Sequence, residues 1–406
     1  MSFLSPVIIS RYRPNPMRLA SIGASDPRCS LLIPMKTPFK FLAVLPVIAG
    51  FACTSIASGQ TGEYPKIIDG GAWKSGHVQG VAVNRKSGHV YFSFTNVLVK
   101  TDLQGKLLGT IGGFTGHLGD LDFNEADGRV YGSLEYKEQT AFYIAIIDVD
   151  RINREGMTAQ NSDVFLTVHL PEVVADYTAD MDGNGTFDGN TGKTADHRYG
   201  CSGIDGVAFG PKFGETGGKR YLTVAYGIYS NLDRKDNDHQ VLLQYDADAW
   251  LKQYAKPLTE SAPHRSGPEK VDGKYFTYTG NTSYGVQNLA YDKDGQRWLM
   301  AVYRGKKPSF PNYGLFAIGA SAKPEMKELT GTGESGLLLP LAPLGEHHEA
   351  TGIRGWNQDA AVGMEPLGNG LFYIAEAAKK DGKQTGRLFL NRWVGGEKVA
   401  FEKVSE

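Results

Sequence analysis

The chain repeats itself at an offset of forty residues, Gly76-His77-Val78-Gln79-Gly80 being answered by Gly116-His117-Leu118-Gly119-Asp120. The offset persists through the next strand, where Gly88, Val90, Tyr91 and Ser93 match Gly128, Val130, Tyr131 and Ser133. A spacing held over two strands marks a supersecondary unit that cannot bury its own apolar face and must stack on copies of itself. Weaker copies open at Gly203-Ile204-Asp205-Gly206-Val207, at Gly285-Val286-Gln287-Asn288-Leu289 and at Ala361-Val362-Gly363-Met364.

Each copy offers four runs rich in β-branched and aromatic residues, in the first copy 81–84, 89–94, 97–101 and 106–111. The last run of the fourth copy reads as 337–341, and that of the fifth as 399–404. Asp-Gly pairs at 127–128, 294–295 and 381–382 suit tight hairpins, and 51 glycines fit a chain of many turns. The expected fold is all-β: a β-propeller of four-stranded antiparallel blades, five in number, with 64–68 as material for a sixth.

The stretch 98–111, Leu-Val-Lys-Thr-Asp-Leu-Gln-Gly-Lys-Leu-Leu-Gly-Thr-Ile, resembles blades of the NHL and gluconolactonase-like propeller superfamily. There too a strand ending in Asp-x-x-Gly-Lys recurs. The resemblance covers one blade well and the others loosely, and it implies fold. The metal ligands of gluconolactonase-like enzymes find no residue-by-residue counterparts here, so no activity follows from it.

Ahead of the repeats, Met35 opens a short basic segment, followed by an apolar run over 41–52 and Ser55-Ile56-Ala57. That order is a secretory signal peptide, with an apolar run too short to span a bilayer. Residues 35–57 are therefore expected to be removed from an exported protein, periplasmic or secreted, and 1–34 to be an upstream extension outside the fold. A lipid anchor at Cys53 is the weaker alternative, because Gly50-Phe51-Ala52 fits a lipoprotein signal poorly. Residues 58–406 then form one propeller domain, expected to be monomeric, with 171–202 as an insertion. Cys201 is left without an internal disulfide partner and is expected to be buried. A net charge of −1 and the lack of a basic stripe speak against nucleic acid. There is no Gly-rich phosphate loop, nucleophile elbow or HExxH motif.

In a propeller, loops entering first strands and loops joining second to third strands share one face. Segments 171–202, 279–288, 342–360, 135–141, 226–239 and 304–313 all belong to that set, whereas 246–274 is expected on the other face. Long loops inside compact domains are usually functional. The starts of inner strands place His77, Gln79, His117, Asp120, Asp205, Gln287 and Asn288 at the upper mouth of the channel. The ends of second strands add Glu135, Tyr136, Tyr226, Tyr229, Arg304 and Glu376, and the loop into the last blade adds His348 and Arg354. Glu135, Tyr136, His117, Arg304 and Glu376 are expected to carry acid–base chemistry, and the others to hold a polar small molecule or glycan. The structural alternatives are that His77 and His117 cap strand ends and that Asp120 and Asp205 tie blades together through backbone N–H bonds.

One metal motif is present. Asp180, Asp182, Asn184, Thr186 and Asp188 occupy positions one, three, five, seven and nine of an EF-hand-type loop, with Gly185 at the sharp bend. Thr191 stands where a bidentate Glu is usual, and the expected Ca2+ is one that stiffens the rim. Three functions fit this reading: a hydrolase or lyase acting on a carbohydrate or similar polar ligand, a non-catalytic binding propeller of the cell envelope, and a metal-assisted lactone or ester hydrolase.

Overall fold

The computed structural model describes residues 64–189 and 191–405; the expected leader, the upstream extension, Cys29 and Cys53 lie outside them. The first blade is Val78–Asn84, His89–Phe94, Val97–Asp102 and Leu107–Gly112. The second is His117–Asn124, Arg129–Tyr136, Ala141–Ile147 and Phe165–His169. The third is Cys201–Pro211, Arg220–Ile228, His239–Tyr245 and Gly273–Tyr278. The fourth has three strands, Thr282–Asp292, Arg297–Arg304 and Leu315–Gly319. The fifth opens with Met364–Gly368, Leu371–Lys380 and Lys383–Trp393.

Each inner strand packs on the inner strands of both flanking blades, and the fifth packs on the first, so the wheel closes at five. Closure comes from the start of the fold: Ile67–Trp73 pairs antiparallel with Lys383–Trp393 and supplies the outer strand of the fifth blade. The residues 64–68 that could have begun a sixth blade thus complete the fifth. Phe401–Lys403 covers the remainder of the same edge, so the strand expected over 399–404 is shorter than read.

Two further expectations are corrected. The run 337–341 does not finish the fourth blade, because Ser335–Leu338 lies parallel to Gly273–Tyr278 in the third, with Glu325–Glu328 beyond it. An apolar run carries no label of the edge it will cover. The open edge of the fourth blade is covered by irregular chain, Ala342 donating to the Ala317 carbonyl and Trp356 bridging Leu315. The segment 246–274 does not stay on the lower face. Lys256–Pro257 pairs with Phe165–His169, and Arg265 then reaches the Gln139 and Thr140 carbonyls at 2.7 Å on the upper rim.

The matched residues of the repeat form the joints between blades. Tyr91 stacks on Phe123 of the next blade, and Tyr131 meets Phe209 edge-on at 4.9 Å. Ser93 donates to the Gly119 carbonyl and Ser133 to the Asp205 carbonyl, each one blade onward. Cys201 is buried, as expected. Among the described residues no helix is long and apolar enough to cross a membrane.

Candidate functional site

Four inner strands break register at the same level, between Val78 and Gly80, Leu118 and Leu121, Ile204 and Val207, and Val286 and Asn288. Gln79, Asp120, Asp205 and Gln287 occupy these bulges. A bulge leaves a residue out of the ladder and re-aims its side chain, and here it divides the expected mouth residues into two groups.

One group fills the waist of the wheel. Asp120 is buried and accepts the N–H groups of Leu121, Val207 and Leu289 at 2.9, 3.0 and 2.9 Å, joining three blades. Asn288 donates to the Gln79 and Ala361 carbonyls and accepts from the Met364 N–H, joining the fourth blade to the first and fifth. Their polar atoms are consumed in holding the blades together. The bonds of Asp120 are those of the structural alternative, a tie between blades through backbone N–H groups. Gln79 belongs here too: it gives its carbonyl to Asn288, and its side chain reaches Thr95 at 3.4 Å.

The other group forms a charged cluster at the upper mouth. His117 Nδ1 lies 3.5 Å from Glu135 Oε2 and 3.7 Å from Asp205 Oδ1, with about a third of its side chain exposed. Lys137 Nζ lies 3.3 Å from the same Glu135 oxygen, while Glu135 Oε1 accepts the Ile204 N–H at 2.5 Å. Gln287 donates to Asp205 Oδ2 at 2.9 Å, and Asp205 Oδ1 is left buried without a hydrogen-bond partner. His77 completes the rim by bonding Tyr303 Oη at 2.9 Å.

Environment drives the two carboxyls apart. Burial, and then the Glu135 charge, push Asp205 up to about 7. Glu135 is just as deeply enclosed, but Lys137 and His117 overcome burial and hold it below the usual carboxylate range. His117 is raised, since its bond to Glu135 and the charge of Asp205 outweigh the burial that lowers it. His77 is lowered, first by burial and then by His117. A proton-holding acid beside an ionised one is the arrangement that separates acid and base roles.

The remaining candidates lie elsewhere. Tyr136 turns outward and donates to Glu260 at 2.8 Å. Arg304 pairs with Asp359 at 2.9 Å, and Glu376 pairs with Lys403 at 2.5 Å, both at the solvent edge. Tyr226 is buried in the third blade and donates to Asp176 at 2.8 Å. Tyr229 packs on the His197 ring at 5.0 Å. His348 and Arg354 belong to a hairpin, Glu346–His348 with Ile353–Gly355, on the outer edge of the fourth blade. Long polar side chains at strand ends took nearer partners than the channel offered. Lys137 and Tyr303 are not among the residues that sequence reasoning singles out: Lys137 is the first residue of the turn after Arg129–Tyr136, where strand alternation does not say which way a side chain points.

In the calcium-type loop, Asp180 accepts the Gly183 and Gly185 N–H groups and Asp182 accepts that of Asn184. Asn184 in turn accepts the Thr186 N–H, and the Asp188 N–H goes to Asp196. Oxygens of Asp180, Asp182 and Asp196 lie within 4.8 Å of one another, the only such group of three among the described residues. Asp196, sixteen residues after Asp180 and outside the motif, supplies the third carboxylate.

No protein family and no curated protein matches the chain. Among solved structures it is similar to the β-propeller domain of Cps50 (Swd1) from Myceliophteria thermophila, at 11% identity over 78% of this chain and 98% of that one, TM-score 0.29. It is also similar to the Dos1 propeller, at 8% identity over 81% of each chain, TM-score 0.29. Kuenenia stuttgartiensis hydrazine synthase is 9% identical over 86% of this chain and 70% of that one, TM-score 0.31. Likenesses this loose carry no argument, and the propeller assignment rests on the strand pairing. The narrower kinship with NHL and gluconolactonase-like proteins has no family match behind it.

Proposed function

We propose that the upper mouth is an acid–base site of a hydrolase or lyase acting on a polar, carbohydrate-like ligand. The observation that carries this reading is the placement of Asp205: an unpartnered carboxyl oxygen 3.7 Å from His117, in surroundings that keep its proton to about pH 7. Such an acid can protonate a leaving oxygen near neutrality, and His117, whose hold on its proton Glu135 and Asp205 strengthen against the effect of burial, is a second donor. Glu135 is engaged by Lys137, His117 and the Ile204 N–H, which makes it a positioning residue. The donor set does not suit a channel metal, because Lys137 and His117 already bring positive charge to its carboxylates.

Turnover of a panel of glycans and sugar esters tests this. Asp205→Asn and His117→Gln should each lower kcat by about a hundredfold or more, with both variants still folded by circular dichroism. Unaltered turnover in both variants would sink the assignment. Binding without turnover in the native chain would instead favour the non-catalytic propeller.

We also propose Ca2+ at the loop carrying Asp180, Asp182 and Asp196, with Asn184, Thr186 and Asp188 in the same turn. Calcium should raise the unfolding temperature of the native chain and leave that of Asp196→Asn unmoved. Export follows from the leader reading of 35–57 and is tested by sequencing the N-terminus of the mature protein, expected near residue 58.

A further inference from the structure

The lower mouth carries a cavity of about 520 Å³, on the face opposite the charged cluster. Its walls include the aromatic rings of Phe123, Phe209 and Tyr291, and its lining holds five carboxyls (Asp122, Glu125, Asp292, Asp294, Glu365) and three cations (Arg85, Arg220, Lys293). Most of these charges are already committed. Arg85 pairs with Glu125 at 2.5 Å, Asp292 with Arg297 at 2.6 Å, and Asp294 accepts the Asn369 N–H. Arg220 donates to the Phe209 carbonyl and lies over the Phe209 ring. Three carboxyls have no ion-pair partner: Asp294, held by the Asn369 N–H, Asp122, which accepts only backbone N–H bonds such as that of Phe209 at 2.5 Å, and Glu365, which is 9% exposed.

We propose that this cavity binds an organic ammonium ligand, a protonated amine carried on an apolar or aromatic body. Carboxyls without a countercharge on a pocket lined also by Leu121, Leu289 and Tyr291 offer an ammonium group charge-assisted hydrogen bonds and its apolar body a place to pack. An anion would have only Arg220 and Lys293 outside an ion pair to meet, and Arg220 is already held by the Phe209 carbonyl and ring. A divalent metal would need three or more close ligands, and none of these carboxyls belongs to such a group among the described residues. The acids also predict the pH response. Burial, opposed by the Arg220 charge, leaves Asp122 at about 6; burial and the nearby Asp122 and Asp120 hold Glu365 well above the usual range, with Arg85 pulling the other way. An entering ammonium ion supplies the missing countercharge, so the carboxyls release protons as the amine binds.

Calorimetry on the full chain with benzylamine, and with benzyl alcohol as its neutral counterpart, tests this. Benzylamine should bind at least about tenfold more tightly near pH 8 than near pH 5, with heats that vary between buffers as protons are released. Benzyl alcohol should not bind, and Asp122→Asn combined with Glu365→Gln should abolish benzylamine binding. Equal affinity at both pH values, equal binding of the alcohol, retention in the double variant, or no binding at millimolar amine each overturns the proposal, as does displacement of benzylamine by calcium or zinc. If the double variant fails to fold, the pH and alcohol comparisons on the native chain still decide.

Discussion

Asp120 and Asp205 are the same residue type in corresponding bulges, and the structure gives them opposite duties. Asp120 spends its oxygens on three backbone N–H groups. Replacing it with Ala strands the Val207 and Leu289 donors in the core, each at about 1–3 kcal/mol. Asp120→Ala should therefore lower the unfolding free energy by about 2–6 kcal/mol in denaturant titration, and Asp120→Asn, which keeps an acceptor, by clearly less. A loss below about 1 kcal/mol for the Ala variant would mean that the waist relaxes around the gap. Asp205 is different, because its folded value near 7 stands above its ordinary 3.8. Between those values the folded chain holds a proton that the unfolded chain has released, so the stability contributed by Asp205 is full below about 4, falls as pH rises, and levels off above about 7. Asp205→Asn does not titrate, so its stability relative to the native chain should climb from about pH 4 to about pH 7. A flat difference would place the Asp205 pKa near that of an exposed carboxyl.

At the scale of strands, the blades were readable because apolar alternation and the forty-residue repeat both act locally. In the first blade the four strands fall where the sequence places them, within a few residues. The repeat also named its own joints, since the matched tyrosines and serines turned out to be the groups that reach the next blade. Two kinds of fact lay out of reach. A bulge re-aims the side chains in it, and only the strand register shows that Asp120 stands one residue before the ladder resumes at Leu121 whereas Asp205 stands two before Val207. The partner of Ile67–Trp73 lies over three hundred residues away, and nothing local in either strand specifies that pairing. The closing strand makes its own prediction. Deleting residues through Trp73 removes the cover from Lys383–Trp393 and leaves a long unpaired edge, the usual template for intermolecular pairing. The truncated chain should lose its single unfolding transition and associate in light scattering. A monomer that melts like the native chain would show that Phe401–Lys403 suffices to guard that edge.

The propeller is a wheel with two polar mouths and a filled waist, and the waist decides whether the mouths communicate. Asp120 bonds Leu121 and Leu289, which line the lower cavity, and Val207, two residues beyond Asp205 at the upper mouth. A change confined to one mouth has a hydrogen-bonded partition between it and the other, and sites without shared partners act independently. Asp205→Asn should therefore leave benzylamine affinity within about twofold of the native value. Asp120→Ala touches both sides of the partition, so it should weaken amine binding and lower turnover together. If Asp205→Asn shifts amine affinity as far as Asp120→Ala does, the waist transmits rather than insulates. The two mouths would then be the ends of one coupled site.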